Sequence, residues 1–355
     1  MKGDSKHNRV RKLSYKMLAF GSSDLVDSLH ISRPKSRSLV QETSEESKLT
    51  RILNEGSKII SKKRIGKIGS FGVFTSMGIS KTSNEDKVTV TLKKKTVDSK
   101  QLKVSIFSIF DGHGGSGCSE FLKEKLNKYI LENKRFSEDP TEAIHLAFGK
   151  VEKKFVKSCR KTGDRSGSCA ILAVIIGKEV FIANLGDSRA VLSSNSGRTV
   201  TQITTDHKPS LESESQRIIQ AGGKLIQASR NGIVGPVRIV PGRISVSRAI
   251  GDVAIKQRKL GGIPNLLSPE PEVFSFKISK KTEFLLLGCD GVFDSLSNEE
   301  ACSEVWNTFW EHKTQNLHDT TGLAVKRVVA RAAMKESLDN LTGILITFPN
   351  GGRLN

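Results

Sequence analysis

Asp111-Gly112-His113-Gly114-Gly115 combines a carboxylate, an imidazole and three glycines within five residues. A carboxylate is a hard oxygen ligand suited to Mg²⁺ or Mn²⁺, and histidine exchanges a proton near neutral pH. Glycines let the backbone approach a bound ion or phosphate closely. The motif follows Val104–Phe110, a run rich in β-branched and aromatic residues that reads as a buried strand stopped by the glycines. Such a strand end is a rigid place to hold reacting groups. Taken alone, the same residues also suit a glycine-rich turn with a polar tip.

Further acids stand at strand ends or in turns along the chain. Glu85 and Asp86 precede the strand-like Lys87–Leu92, and Asp164 lies in Gly163-Asp-Arg-Ser-Gly-Ser168. Asp187 lies in Gly186-Asp-Ser-Arg189, Asp290 and Asp294 follow the apolar Phe284–Leu287, and Asp339 precedes Asn340. One acidic turn means little, because Asp and Gly are ordinary turn residues. Several acids gathered at strand ends would repel one another, and a bound divalent cation is the usual remedy. No His/Cys cluster with zinc spacing is present, so an all-oxygen Mg²⁺ or Mn²⁺ site is expected. Cys118 lies near the first motif but has no C-x₅-R phosphate loop, which argues against a cysteine nucleophile.

The elements that must position these acids are strands and long helices. Strand-like runs cover 71–77, 87–92, 102–110, 168–176, 179–185, 190–193, 284–288 and 343–348, and helical periodicity covers 117–132, 140–160, 211–221, 298–312 and 320–338. Asp139-Pro140 and Ser297-Asn-Glu-Glu300 are helix starts with capping residues and early acids. Gly177-Lys178 joins two strands too tightly for a crossover, so an antiparallel hairpin is expected. Antiparallel sheets flanked by long helices, an α+β arrangement, fit this order better than βαβ repeats.

Composition sets the class. The 355 residues are 36% hydrophobic and 26% charged, with no apolar run near the ~20 residues of a membrane span. No apolar signal-peptide core follows Met1, so an intracellular protein, cytoplasmic or nuclear, is expected. Five cysteines without C-x-x-C spacing are expected to be reduced thiols. The net charge of +20 raises nucleic acid, an anionic membrane or an acidic substrate as partners. The cations are spread widely and aromatics make up only 6%, which argues against specific nucleic-acid binding. Residues 1–64 are rich in Lys, Arg and Ser; they read as a basic, mostly flexible segment with one helix near 47–61, ahead of a catalytic domain over 65–355.

The motifs in their order resemble the metal-dependent protein serine/threonine phosphatases of the PPM family, type 2C. The likeness rests on Asp111-Gly-His-Gly-Gly115, Asp164-Arg-Ser-Gly-Ser168, Gly186-Asp-Ser-Arg189, Ser247-Arg-Ala-Ile-Gly-Asp252, Asp290-Gly-Val-Phe-Asp294 and Asp339-Asn340, over about residues 70–349. It implies a four-layer α/β/β/α sandwich: two central antiparallel sheets flanked by antiparallel helix pairs. It also implies a hydrolase of phosphoserine and phosphothreonine in proteins, acting as a monomer by direct attack of a hydroxide that bridges two Mg²⁺ or Mn²⁺ ions. By the same resemblance Asp111 bridges the metals with the Gly112 carbonyl as a further ligand. Glu85 holds one ion, and Asp290 and Asp339 hold the other. Asp164 and Asp294 serve a weaker third ion in some members. Asp86 hydrogen-bonds metal-bound water, His113 is the general acid, and Asp187 fixes its turn. The segment 211–246 corresponds to the flap beside the site, and the Arg and Asp of Ser247–Asp252 to its tie to the core.

Lys81 stands where the family usually places a phosphate-gripping arginine, and lysine offers a compact charge in place of a bidentate fork. Phe293 replaces the commoner tryptophan. None of the core acids is missing, which opposes the rival reading of a catalytically weak phosphatase fold used as a regulatory binding module. A two-metal nuclease would need a basic, aromatic-lined groove, of which the sequence gives no sign.

Overall fold

The protein was analysed as a computed structural model, which describes residues 54–349 apart from 98, 99, 231 and 314. In chain order, β1 (Ser57–Ile60) and β2 (Ser70–Ser76) lead to the long hairpin of β3 (Lys87–Val97) and β4 (Lys100–Phe110). The short β5 (Gly112–His113) precedes helices α1 (Gly117–Leu131) and α2 (Pro140–Thr162). Then come β6 (Gly167–Ser168), β7 (Ala170–Ile176), β8 (Glu179–Leu185), β9 (Arg189–Ser194) and β10 (Thr199–Gln202). Helix α3 (Glu212–Gln220) precedes the flap hairpin β11 (Lys224–Arg230) and β12 (Ile233–Val240). β13 (Ile250–Gly251), α4 (Val253–Lys256), β14 (Glu272–Lys277) and β15 (Thr282–Gly288) follow. The chain continues through α5 (Asp290–Phe293), α6 (Asn298–Glu311) and α7 (Leu317–Met334) to β16 (Leu341–Thr347).

One sheet has six strands in the order β1-β2-β16-β15-β9-β10, and the other has five in the order β14-β8-β7-β4-β3. All pairs within them are antiparallel. Period-two alternation explains how they stack. On β4, Phe107 and Ile109 join the apolar layer shared with Phe74, Leu286 and Ile344 of the other sheet. Ile106 and Phe110, between them, face Leu122, Leu126 and Phe148 of α1 and α2. A strand buried on both faces reads as a near-continuous apolar run, as Val104–Phe110 does apart from buried Ser105 and Ser108. The pair α6 and α7 covers the six-stranded sheet through Val305, Val325 and Val329. The α/β/β/α sandwich is therefore the fold.

The capping residues work as their types dictate. Asp139 accepts from the Glu142 N–H, and Ser297 with Glu300 completes a capping box. The helix expected near 47–61 is overturned at its end: Ser57–Ile60 pairs with β2 as an edge strand, because sheet contacts outweigh local helical preference. The expected 64/65 boundary thus falls inside the fold, while residues 1–53 lie outside the described residues. Among the described residues no helix is long and apolar enough to cross a membrane.

Candidate active site

β4 and β15 belong to different sheets and end side by side, so Asp111 and Cys289-Asp290 meet where the strands stop. The carboxyl oxygens of Asp111 and Asp290 and Sγ of Cys289 lie within 4.8 Å of one another. Desolvation pushes the Asp290 carboxyl up to about 6, and the charges of Asp339 and Asp294 add to it. Desolvation and then Asp290, Asp86 and Asp187 hold Asp111 well above the usual carboxylate range. Buried Asp86 is pushed up to about 7 by desolvation, against a 2.6 Å hydrogen bond from Thr342 Oγ1. Asp187 is also buried, accepts from Cys169 Sγ, and is raised by burial and by Asp290.

This clustering tests what the site is built to hold. Carboxylates forced together out of water are strained by mutual repulsion, and a hard dication relieves that strain. The sulfur of Cys289 is kept neutral by burial and by its acidic neighbours. The remaining donors are oxygens, so the residues fit Mg²⁺ or Mn²⁺. Among the described residues, Glu85, Asp164, Asp294 and Asp339 stand outside the 4.8 Å group.

Asn340 gathers two of them. Its Nδ2 donates to the Met77 and Ser83 carbonyls at 2.9 and 3.0 Å, and its Oδ1 accepts from the Glu85 N–H at 2.8 Å. Its own N–H donates to Asp339 Oδ1 at 2.7 Å. Lys81 Nζ lies 2.7 Å from the same Asp339 oxygen. Burial works against the Lys81 charge, but Asp339 outweighs it and, with Glu85 and Asp111, raises its pKa. Lys81, read from sequence as the phosphate grip, thus also serves as counter-cation to Asp339. Gly112 is buried against the Glu85 carbonyl, and a Cβ there would meet it at 2.5 Å.

His113 pairs across β5 and β6 with Gly167, and its Nε2 lies 2.8 Å from Asp252 Oδ2. Burial disfavours the imidazolium, yet Asp252 prevails and raises the pKa. A side chain at position 167 would run into both Asp252 and His113, so glycine is required there. Sequence reasoning assigned Asp252 to tying the flap, and the structure corrects this. Arg248 makes that tie, donating to Glu214 Oε1 at 2.7 Å and to Glu272 at 3.2 Å, and Arg217 of α3 adds to it by donating to the Ser247 carbonyl at 2.7 Å. Burial opposes the Glu214 charge, but Arg248 and Arg217 hold its pKa down to about 2.

The remaining two acids have other partners. Asp164 Oδ1 accepts from Ser166 N and Oγ at 2.8 and 2.7 Å, and Ser166 Oγ accepts from Cys118 N in the first turn of α1. Asp294 is exposed and pairs with Lys208 Nζ at 2.6 Å. Lys208, Cys289 and Thr342 escaped the sequence reading, because a lysine, a small apolar thiol and a strand threonine are each ordinary in their segments.

The antiparallel α/β/β/α sandwich thus brings acids from its two sheets together beside a histidine, an arrangement that suits a hydrolase working with a divalent metal. The chain belongs to the protein phosphatase 2C family, whose sequence model, described as Protein phosphatase 2C, matches residues 72–341. It is accordingly a protein serine/threonine phosphatase. It is similar to "Probable protein phosphatase 2C 45" of Oryza sativa subsp. japonica, 34% identical over 248 residues that cover 70% of this chain and 78% of that one. "Probable protein phosphatase 2C 59" of Arabidopsis thaliana is 34% identical over 245 residues, covering 69% and 70%. Among solved structures, a C. elegans sex determining protein superposes with a TM-score of 0.67 at 25% identity, over 83% of this chain and 68% of that one. A serine-threonine phosphatase 2C from Toxoplasma gondii shares the fold, with a TM-score of 0.66 at 20% identity over 82% and 99%.

Proposed function

We propose that the chain hydrolyses phosphoserine and phosphothreonine in proteins by direct attack of a water-derived nucleophile on phosphorus, without a covalent enzyme intermediate. The observation that carries this reading is the pair Asp111 and Asp290, brought together from two sheets and raised first by desolvation, then by the charges of the neighbouring acids. In this reading Asp111, the Gly112 carbonyl, Glu85, Asp290 and Asp339 hold two Mg²⁺ or Mn²⁺ ions, and Asp164 and Asp294 a weaker third. Bound ions of this kind supply a water ionised near neutral pH and neutralise phosphoryl oxygens.

The chain's own residues do the rest. With Nε2 committed to Asp252, Nδ1 of His113 is the atom left to protonate the departing serine or threonine oxygen. Asp252 holds the ring in one orientation and favours its charged form. Asp86, fixed by Thr342, orients water at the edge of the cluster. Lys81 neutralises Asp339 and presents its charge to a substrate phosphate. Phosphorylated proteins are the substrates, and a monomer acting in cytoplasm or nucleus without a specific nucleic-acid partner is part of the same reading.

The test is hydrolysis of a phosphothreonine peptide with and without Mn²⁺ by the native chain and by Asp111→Asn and Asp290→Asn. Metal-dependent turnover lost in both variants supports the reading. Native protein that binds Mn²⁺ by calorimetry yet turns nothing over would overturn it.

A further inference from the structure

The excess of cations has a location. Strand register defines the end of the sandwich opposite Asp111: Lys93, Val104, Ile176, Glu179 and Lys277 form one row across the five-stranded sheet. Just beyond it Lys94 and Lys103 stand directly opposite each other, and Lys178 sits in the adjoining turn. The β1–β2 loop adds Lys62, Lys63, Arg64 and Lys67. It reaches this edge, since a Cβ at Gly66 would lie 3.6 Å from Lys103 Cδ. The β9–β10 and β14–β15 turns contribute Arg198, Lys280 and Lys281, which are exposed. Among the described residues none of these ten cations forms an ion pair, and exposed Glu179 is already matched by Lys277 at 3.4 Å.

Like charges placed directly across a ladder destabilise it, so Lys94 opposite Lys103 is a cost that folding alone does not explain. Eight of the ten are lysines, hydrated point charges without the fork that grips one carboxylate or phosphate. They issue from several separate segments at the ends of both sheets, which suits a broad, diffuse anion. Leu92, 42% exposed, stands two residues before Lys94 on the same side of β3. Ile59, 44% exposed in the strand that leads into the β1–β2 loop, and Trp310, 64% exposed one helical turn past Trp306, which packs on Gly197 beside Arg198, add apolar bulk of the kind that sits at a membrane–water interface. From Lys103 to Asp111 the strand runs about 26 Å, at ~3.3 Å per residue.

We propose that this basic end docks on an anionic lipid surface, with the carboxylate end turned away from it toward soluble substrates. Each Lys or Arg near such a surface adds to the attraction, which is screened within a Debye length. The test is co-sedimentation of the full chain with phosphatidylcholine vesicles, with and without phosphatidylserine. Binding is expected only with phosphatidylserine and weakens as salt rises. The quadruple variant Lys62→Glu, Lys63→Glu, Lys94→Glu, Lys103→Glu is expected to lose at least about 100-fold in vesicle affinity. Its phosphopeptide turnover and melting temperature stay native, since positions 94 and 103 remain a like-charged pair. A second variant, Lys178→Glu, Lys280→Glu, Lys281→Glu, is expected to lose affinity as well. Undiminished vesicle binding by both variants would overturn the proposal and assign binding to residues 1–53. So would a native chain that ignores the vesicles but binds soluble polyglutamate, which would make an acidic protein the partner.

Discussion

His113 Nε2 and Asp252 Oδ2 lie 2.8 Å apart, joining the glycine-rich turn after β4 to the residue that opens α4. Asp252→Asn keeps the size of the side chain and removes the charge that holds the imidazolium. Turnover of a phosphothreonine peptide is expected to fall about 10–100-fold, in keeping with loss of general-acid assistance. Hydrolysis of p-nitrophenyl phosphate, whose leaving group needs no proton, is expected to change little. Equal losses on both substrates would make the pair purely structural.

Asp290→Asn separates stability from activity. Removing one of two repelling carboxylates is expected to raise the melting temperature of the metal-free protein by a few degrees, for about 1 kcal/mol. Mn²⁺-dependent turnover is expected to fall at least about 100-fold. In the native chain Mn²⁺ at about 100 times its Kd is expected to add about 2.7 kcal/mol of stability, a shift that chelation reverses and the variant lacks. Melting curves with and without Mn²⁺ check both.

Glu214 ties α3 beneath the flap and carries a pH signature. Its folded-state pKa, about 2, lies below the ordinary 4.5, so its contribution is complete above 4.5 and disappears as pH falls toward 2. Glu214→Gln is expected to cost a few kcal/mol at pH 7, where it leaves Arg248 and Arg217 without their acid. The difference from native should shrink steadily below pH 4.5. Urea unfolding at several pH values measures it, and a gap independent of pH would refute the linkage.

Gly167→Ala probes the same histidine from the other side. The added methyl group runs into Asp252 and His113. Peptide turnover is expected to fall about 100-fold, as misplacement by an ångström commonly costs. The Mn²⁺-linked rise in melting temperature should persist, because Asp111 and Asp290 are untouched.

Much of this was legible in the residues. Val104–Phe110 and Glu179–Leu185 declared themselves as strands because burial on both faces leaves a mostly apolar run, interrupted only by Ser105, Ser108 and Asn184 after the exposed Glu179. Asp139-Pro140 and Ser297–Glu300 marked helix starts because their side chains answer free N–H groups. β1 and β14 were missed for the opposite reason: Ser57-Lys-Ile-Ile60 and Glu272-Val-Phe-Ser-Phe-Lys277 are mostly half-buried or exposed and take their form from a partner strand. The acids were visible singly, since each stands beside glycine or at a strand end. The pairing of His113 with Asp252, 139 residues later, was not, because nothing in local composition reports which distant turn a strand end will meet.

Among the described residues β16 is the last strand, yet it lies in the middle of its sheet between β2 and β15. Asp339 and Asn340 immediately precede it, and Asn340 holds the Glu85 backbone in place. The segment that carries Asp339 and Asn340 is thus also the one that joins β2 to β15. A chain cut before residue 339 lacks Asp339, Asn340 and the strand between β2 and β15 together, so site and sheet are lost in one step.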